Sequence, residues 1–221
     1  MKKIFLLAGL LIAFSGAFAQ TITYGIKGGL NLTQVPVQST TFGVSSSSDK
    51  YLAGFHIGGL VDIGFESFSI QPGIFYTTKG GNTDANIDID FGGQQFTGTA
   101  KVKTKLNYLE VPVNFIYKVP AGDGKVFFGA GPYIGYGLSG NASVTSNVNG
   151  QTATQNQDVK FGNGDGEIKN PDFGFNILAG YELPMGVTLN AGYGQSFAGS
   201  SNTSGKVKNQ GFQFSVGYFF R

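Results

Sequence analysis

The sequence predicts an all-β fold: an eight-stranded antiparallel up-and-down transmembrane β-barrel with long extracellular loops and short periplasmic turns. Eight segments alternate apolar and polar residues with a period of two, and the connections between them alternate long and short. Both features are typical of such a barrel, in which every strand turns one face to lipid and the other to the lumen. Each strand is expected to span roughly 10 to 14 residues, enough to cross the apolar band at a tilt.

The last segment shows the alternation most clearly, and its outward face carries Phe212, Phe214, Val216, Tyr218 and Phe220. The outward rows of the seven earlier segments lie within residues 22–32, 55–63, 68–76, 109–117, 126–136, 173–181 and 187–193. In the fifth segment the inward row is almost entirely glycine, which suits a crowded, narrow lumen. A closing strand rich in outward aromatics is also a usual assembly signal of bacterial outer-membrane proteins, so the barrel-assembly machinery is an expected partner during biogenesis.

The connections give the topology. Short turns are expected at Glu66, at residues 120–124 and at Pro184 and Met185, whereas residues 33–50, 80–105, 139–170 and 198–206 form the other set of links. An even number of strands places both termini on one side of the membrane, and the short turns assign that side to the periplasm.

The first residues predict a secretory signal. Lys2 and Lys3 precede an apolar run at residues 4–14, and Ala17-Phe18-Ala19 forms a small-residue cleavage site. We therefore expect a cleaved signal peptide at residues 1–19 and the outer-membrane barrel domain at residues 20–221. A membrane anchor is the alternative, but the apolar run is short for a spanning helix.

Composition narrows the function classes. The chain has no cysteine, which excludes disulfides and thiolate metal sites. A net charge of +2 with scattered lysines gives no reason to expect nucleic acid as a partner. We expect outer-membrane lipid as the surroundings of the barrel, a Gram-negative outer-membrane location, and no cofactor.

Polar residues on the inward faces hold whatever chemistry the lumen has. The lumen of an eight-stranded barrel is filled by side chains, so buried charges there must pair. We expect a structural polar cluster, and the alternative is a selective pore lined by the same groups. The residues are Lys27, His56, Asp62, Glu110, Asn114, Asp172, Asn176 and Glu182.

His56 is the only histidine and defines an enzyme hypothesis. Acyl transfer needs a nucleophile, a base and an orienting group, which a loop serine, His56 and either Asp49 or Asp62 could supply. No G-x-S-x-G motif accompanies them, so a hydrogen-bonded lumen histidine is favoured over a catalytic one. A single histidine also argues against zinc.

Two of the long connections carry hairpin patterns. In the first, an acidic row is followed by Gly92 and Gly93 and then by a lysine row, so that folding at the glycines can set one row against the other. This possible interaction hairpin comprises Asp84, Asp88, Asp90, Lys101, Lys103 and Lys105. Calcium binding by the acidic row is the alternative, although Ile89 stands where an EF-hand loop has glycine.

The second hairpin pattern is Asn149-Gly150, flanked by polar residues that suit water. Residues 163–167 form an oxygen-rich turn that could hold a cation, although most such runs are plain loops. Strand ladders that rise above a membrane expose edges, and exposed edges can recruit a partner strand. The two hairpins therefore predict docking or adhesion through the outer loops.

Five segments together give the chain a family resemblance: GIKGGLNLT, YLEVPVNFIYKV, GAGPYIGYGL, DFGFNILAGYEL and GFQFSVGYFF. With Glu110 and Pro112 in the second and Gly131-Pro132-Tyr133 in the third, the sequence resembles the PorT-like outer-membrane β-barrel family of Bacteroidetes. The seventh strand departs from the family pattern at AGYGQSFAG. The resemblance implies the barrel and a link to protein secretion, and it brings no catalytic or cofactor-binding residues.

The sequence thus favours an integral outer-membrane barrel without catalytic activity, in a structural, surface-interaction or secretion-associated role. A small-solute pore is one alternative. A lipid- or peptide-modifying enzyme that uses His56 is the other.

Overall fold

The structure is a computed structural model that describes residues 21–35, 38–41, 44–91, 94–148, 150–162, 164, 167–197 and 209–220. The predicted signal peptide lies outside the described residues and stays a prediction. The part of the chain that the structure describes contains no helix long and apolar enough to span a membrane.

The described residues form eleven strands. They are β1 (Thr21–Gln34), β2 (Gln38–Thr41), β3 (Val44–Lys50), β4 (Leu52–Phe65), β5 (Phe68–Phe91), β6 (Gln94–Ala121), β7 (Gly124–Val148), β8 (Gln151–Val159), β9 (Asp172–Glu182), β10 (Val187–Ser196) and β11 (Gln210–Phe220).

Eight of these strands close into a ring. The order around the ring is β1-β4-β5-β6-β7-β9-β10-β11, every pair is antiparallel, and β11 returns to β1 with Tyr24 opposite Phe220. The predicted eight-stranded antiparallel barrel is therefore confirmed. All eight predicted segments lie in ring strands, because the period-two alternation that defined them is imposed by the ring itself.

Tight turns join the ring strands at one end, which we call the turn end. The turn after β4 holds Glu66 at a φ of 50°, and Gly122 and Gly186 lie in the turns after β6 and β9 at 59° and 89°. Thr21 and Phe220 also lie at this end, since the register pairs Thr21 with Gly64 and Tyr24 with Phe220. The short connections and the shared side of the described chain ends match the predicted topology.

At the opposite end, the sheet end, three strands continue far beyond the barrel. β5, β6 and β7 contain 24, 28 and 25 residues, so the expected length of 10 to 14 residues is wrong for them. With β2, β3 and β8 their extensions form an outer sheet in the order β2-β3-β5-β6-β7-β8. The predicted ends of these three strands were placed where the alternation of apolar residues ends. Beyond those points polar residues continue the same strand ladders, and cross-strand side-chain pairs stabilise them.

Exposure separates the two faces of the ring. The outward residues Tyr24, Leu30 and Phe68 are each more than 60% exposed, whereas the inward residues Asn31 and Asp172 are at most 1% exposed. Large exposed apolar side chains around a whole ring, over a polar interior, are the arrangement that a lipid-facing wall requires.

Candidate functional site

The lumen is filled by polar clusters separated by apolar side chains, and the first cluster lies at the turn end. The Lys118 ammonium group lies 2.6 Å from Asp62 Oδ2 and 3.0 Å from Glu182 Oε2. Gln71 Nε2 donates to the second oxygen of Asp62 at 2.9 Å. Each of these charges is largely buried, and pairing offsets part of the cost of removing it from water.

The second cluster joins β1, β4, β5 and β11. Asn31 Nδ2 donates to Thr77 Oγ1 at 2.9 Å and to the carbonyl oxygen of Thr78 at 3.0 Å, which orients Oδ1 of the amide toward His56. That oxygen lies 2.7 Å from His56 Nδ1 and can only accept, so Nδ1 carries the proton. His56 Nε2 is then the acceptor for the Ser215 hydroxyl group at 2.8 Å.

The third cluster lies toward the sheet end. The Lys79 ammonium group forms an ion pair with Glu110 and stands 4.0 Å from the centroid of the Tyr133 ring. The Tyr133 hydroxyl group is 3.4 Å from Asp172 Oδ2, and the Ser196 hydroxyl group donates to the other oxygen of Asp172. A buried lysine is thus held by one carboxylate and by the faces of the Tyr133 and Tyr108 rings.

The remaining predicted lumen residues surround a small cavity of about 30 Å³. Lys27, Asn114 and Asn176 line it together with His56 and Glu110. The Lys27 ammonium group is 5.0 Å from the centroid of the Phe75 ring, a cation–π distance. All eight predicted lumen residues therefore point inward, but they divide among separate clusters.

Two lysines central to these clusters, Lys79 and Lys118, were missing from the predicted set. Both obey the inward parity of their strands, but they follow Tyr76 and Tyr117, the last outward residues assigned to those segments. Continuing the alternation three residues in β5 and one residue in β6 would have found them.

Apolar side chains close the lumen at the sheet end. Leu52, Leu106 and Tyr108 are at most 5% exposed, and the Phe161 ring packs against Tyr108 with a centroid distance of 5.5 Å. Between this plug and the turn end, the described residues leave cavities of about 10, 20 and 30 Å³. A larger vestibule of about 580 Å³ opens at the turn end, beside Asp62 and Lys118.

The interaction hairpin predicted for the outer sheet is present, and its register can be read directly. Asp84 stands opposite Lys101, but Asp88 and Asp90 stand opposite Thr97 and Gln95. The acidic row and the lysine row are therefore directly opposite each other only at the pair of Asp84 and Lys101. Phe91 pairs with Gln94, and the predicted turn glycines Gly92 and Gly93 lie outside the described residues.

Lys50 on β3 supplies the other partner of Asp84. Its ammonium group lies 2.6 Å from Asp84 Oδ2, and this hydrogen bond holds the pKa of the Asp84 carboxyl group below its usual value. The same contact raises the pKa of Lys50. The second predicted hairpin is also present, with Val148 opposite Gln151 and Gly150 at a φ of 82°.

Within the described residues no group of three or more His, Cys, Asp or Glu side chains is arranged to hold a metal ion.

Comparison with protein families matches residues 18–220 to the outer membrane protein beta-barrel domain. The chain belongs to this family. It is accordingly an outer-membrane β-barrel protein, which agrees with the exposed apolar wall of the ring.

Several solved structures are similar to this chain, including the following two. Neisserial surface protein A is 14% identical, with 90% of this chain and 99% of that one covered and a TM-score of 0.44. The attachment invasion locus protein Ail of Yersinia pestis, in complex with the heparin analogue sucrose octasulfate, is also 14% identical, with 90% and 99% covered and a TM-score of 0.40. A comparison with curated proteins gives no match.

The Ser215 hydroxyl group gives a stability prediction for the lumen. We expect Ser215→Ala to lower the free energy of unfolding by about 1–2 kcal/mol, because it leaves His56 Nε2 buried without its donor. Ser69→Ala is the matched control, since Ser69 is buried and its hydroxyl group has no hydrogen-bond partner among the described residues. Urea unfolding of the refolded barrel measures both, and equal losses in the two variants would contradict the prediction.

Proposed function

We propose that this chain is a non-enzymatic, non-conducting outer-membrane barrel that acts as a surface-interaction protein through its outer sheet. The turn end, with both termini, faces the periplasm and the outer sheet faces the cell exterior. The observation that carries this proposal is the outer sheet itself, because three ring strands continue as ladders well past the barrel.

The edges of the outer sheet supply a docking mode. In the described part of the chain, β8 pairs with β7 alone, and residues 151–158 are all exposed. An unpaired edge presents backbone N–H and C=O groups that an extended segment of another protein can join as a further strand. The PorT-like resemblance supports a secretion-associated setting for such a partner.

An enzyme is disfavoured by the surroundings of His56. A nucleophile, a base and an orienting amide would have the spacing seen for Ser215, His56 and Asn31. Asp62, one of the two carboxylates predicted to orient His56, is bonded to Lys118 instead. All three are buried, however, and the cavity that reaches His56 has room for little more than a water molecule. An acyl substrate needs space at the serine and oxyanion donors beside it. We expect a fluorophosphonate probe to leave Ser215 unlabelled.

A pore is disfavoured by the packing of the lumen. The apolar plug and the small size of these internal cavities argue against an aqueous path through the described residues. Planar-bilayer recordings of the refolded protein should accordingly show no channel conductance.

Shortening the second hairpin tests the docking proposal. Ala142 and Gln157 are register partners, so joining them through an Asn-Gly turn removes most of β8 and the end of β7 that pairs with it, and it keeps the ring pairs of β7 intact. In affinity purification from native outer membranes, we expect this variant to lose a protein partner that the wild type retains. An Asp123→Asn variant at the turn end serves as the control. A shortened variant that captures every wild-type partner would overturn the proposal.

A further inference from the structure

One face of the outer sheet is continuous with the lipid-facing wall of the barrel. On β6, odd-numbered residues face outward, from Tyr117 through Leu109 and on to Lys105, Lys103 and Lys101, without a change of parity. The ladder between β6 and β7 has a register shift at this level, because Asn107 pairs with Ser139 and Tyr108 pairs with Gly137. The extra residue is Leu138 on β7, so the alternation of β6 is unbroken. The lysine row, defined as Lys101, Lys103 and Lys105, therefore stands directly above the apolar band.

Lys105 is the member of the lysine row that lies nearest to the headgroup region. Leu109 ends the outward apolar residues of β6, and Lys105 lies four residues beyond it, roughly 13 Å along the strand and about 10 Å in height at a typical tilt. A headgroup layer extends roughly 5–7 Å beyond the apolar core on each side. The flexible side chain of Lys105 reaches that layer, and Lys103 and Lys101 stand successively farther out.

The charge around the lysine row is mostly positive near the barrel. Lys105 stands between Gly80 and Asn141, and Lys103 between Asn82 and Ser143. The salt bridges found among the described residues involve neither of these lysines.

Carboxylates lie farther away along the hairpin or across the sheet. Asp84, level with Lys101, is already bonded to Lys50, and the register places Asp88 and Asp90 farther from the barrel. Asp158 is two strands from Lys105, roughly 10 Å away. Among the described residues, Lys103 and Lys105 therefore have no salt-bridge partner at the end of the outer sheet nearest the membrane.

We propose that the lysine row binds the phosphate groups of anionic glycolipids in the outer leaflet. This inference rests on the proposed function in one respect, that the outer sheet lies on the exterior side. Three ammonium groups spaced about 7 Å apart along one strand can contact several phosphate oxygens, and each lysine near an anionic headgroup surface strengthens binding by roughly a factor of five. Binding would hold the outer sheet in a fixed position over the membrane and leave the β8 edge free.

Lipid A binding to the refolded full-length barrel in detergent tests the proposal. The two probes are lipid A with its phosphates and the same lipid after enzymatic dephosphorylation, and native mass spectrometry gives the apparent Kd for each. We expect the wild type to bind the phosphorylated form at least about tenfold more tightly, with an affinity that falls as salt is raised. Lys105→Gln should weaken binding by about fivefold, and the triple variant K101Q/K103Q/K105Q by more than fivefold, with smaller contributions from Lys103 and Lys101 because they lie farther from the headgroup layer.

Lys125→Gln is the matched control, because Lys125 is an exposed lysine at the turn end of β7. It should bind phosphorylated lipid A as the wild type does, and a heat-modifiable gel shift verifies that each variant is folded. Equal binding of the two lipids, unchanged binding by a folded triple variant, or equal losses in Lys105→Gln and Lys125→Gln would overturn the inference. The micelle assay needs neither membrane sidedness nor a protein partner, so its failure is distinct from a failure of the docking proposal.

Discussion

Replacing Lys79 with methionine should destabilise the barrel by about 3–5 kcal/mol. The substitution keeps most of the side-chain volume but removes the cation that pairs with Glu110, whose side chain is only 6% exposed. An uncompensated charge in a low-dielectric interior is far costlier than the net worth of the original pair. Asp172 keeps its hydrogen bonds from Ser196 and Tyr133, so the loss of stability comes mainly from the unpaired Glu110 carboxylate.

Urea unfolding of the refolded barrel measures this loss. The double variant K79M/E110Q should recover most of it, because the buried carboxylate is then neutral. Lys103→Met is the exposed control and should change the free energy of unfolding by less than about 0.5 kcal/mol. A Lys79→Met loss no larger than that of the control would show that the buried ion pair does not hold the lumen together.

Replacing Gly29 with alanine should cost about 3 kcal/mol and impair refolding. A Cβ at Gly29 would collide with the carbonyl oxygen of Phe214 on the neighbouring strand β11. The colliding atom belongs to the backbone and cannot rotate away, so the ring must open locally to admit one methyl group. The cost is therefore at the upper end of the range for overpacking.

Gly28→Ala is the control for this prediction. A Cβ at Gly28 would lie 3.4 Å from the nearest atom, the carbonyl oxygen of His56, so a small shift accommodates it. The fraction of protein that shows the heat-modifiable gel shift after refolding, together with urea unfolding, measures both variants. If the two alanines behave alike, the close approach of β1 and β11 is not what requires glycine at position 29.

The eight ring strands could be predicted from the sequence alone, because a membrane-spanning barrel requires lipid-facing and lumen-facing residues to alternate along every strand. Each outward row and the short turns at Glu66, Gly122 and Pro184 follow from local alternation and turn chemistry. Strand ends were harder to predict, because the alternation of β5, β6 and β7 continues in polar residues after apolar contrast is lost. Lys79 was missed because it follows Tyr76, the last outward apolar residue of its segment.

Contacts between distant strands could not be derived from the alternation. Ser215 and His56 are 159 residues apart, and their hydrogen bond depends on the registers of β1 with β4 and with β11. A one-residue slip in either register would turn these side chains to the other face. For the same reason the acidic and lysine rows of the hairpin could be placed on facing strands, although only Asp84 and Lys101 prove to be directly opposite.

Cysteine labelling on intact cells tests most directly that a closed barrel presents the outer sheet to the exterior. The chain has no cysteine, so Thr154→Cys on exposed β8 and Asp123→Cys in the exposed turn after β6 each provide one reactive thiol. The reagent is a polyethylene-glycol maleimide too large for outer-membrane pores. We expect Thr154→Cys to react on intact cells and Asp123→Cys to react only after the outer membrane is permeabilised. Labelling of Asp123→Cys on intact cells, with Thr154→Cys protected, would contradict the account.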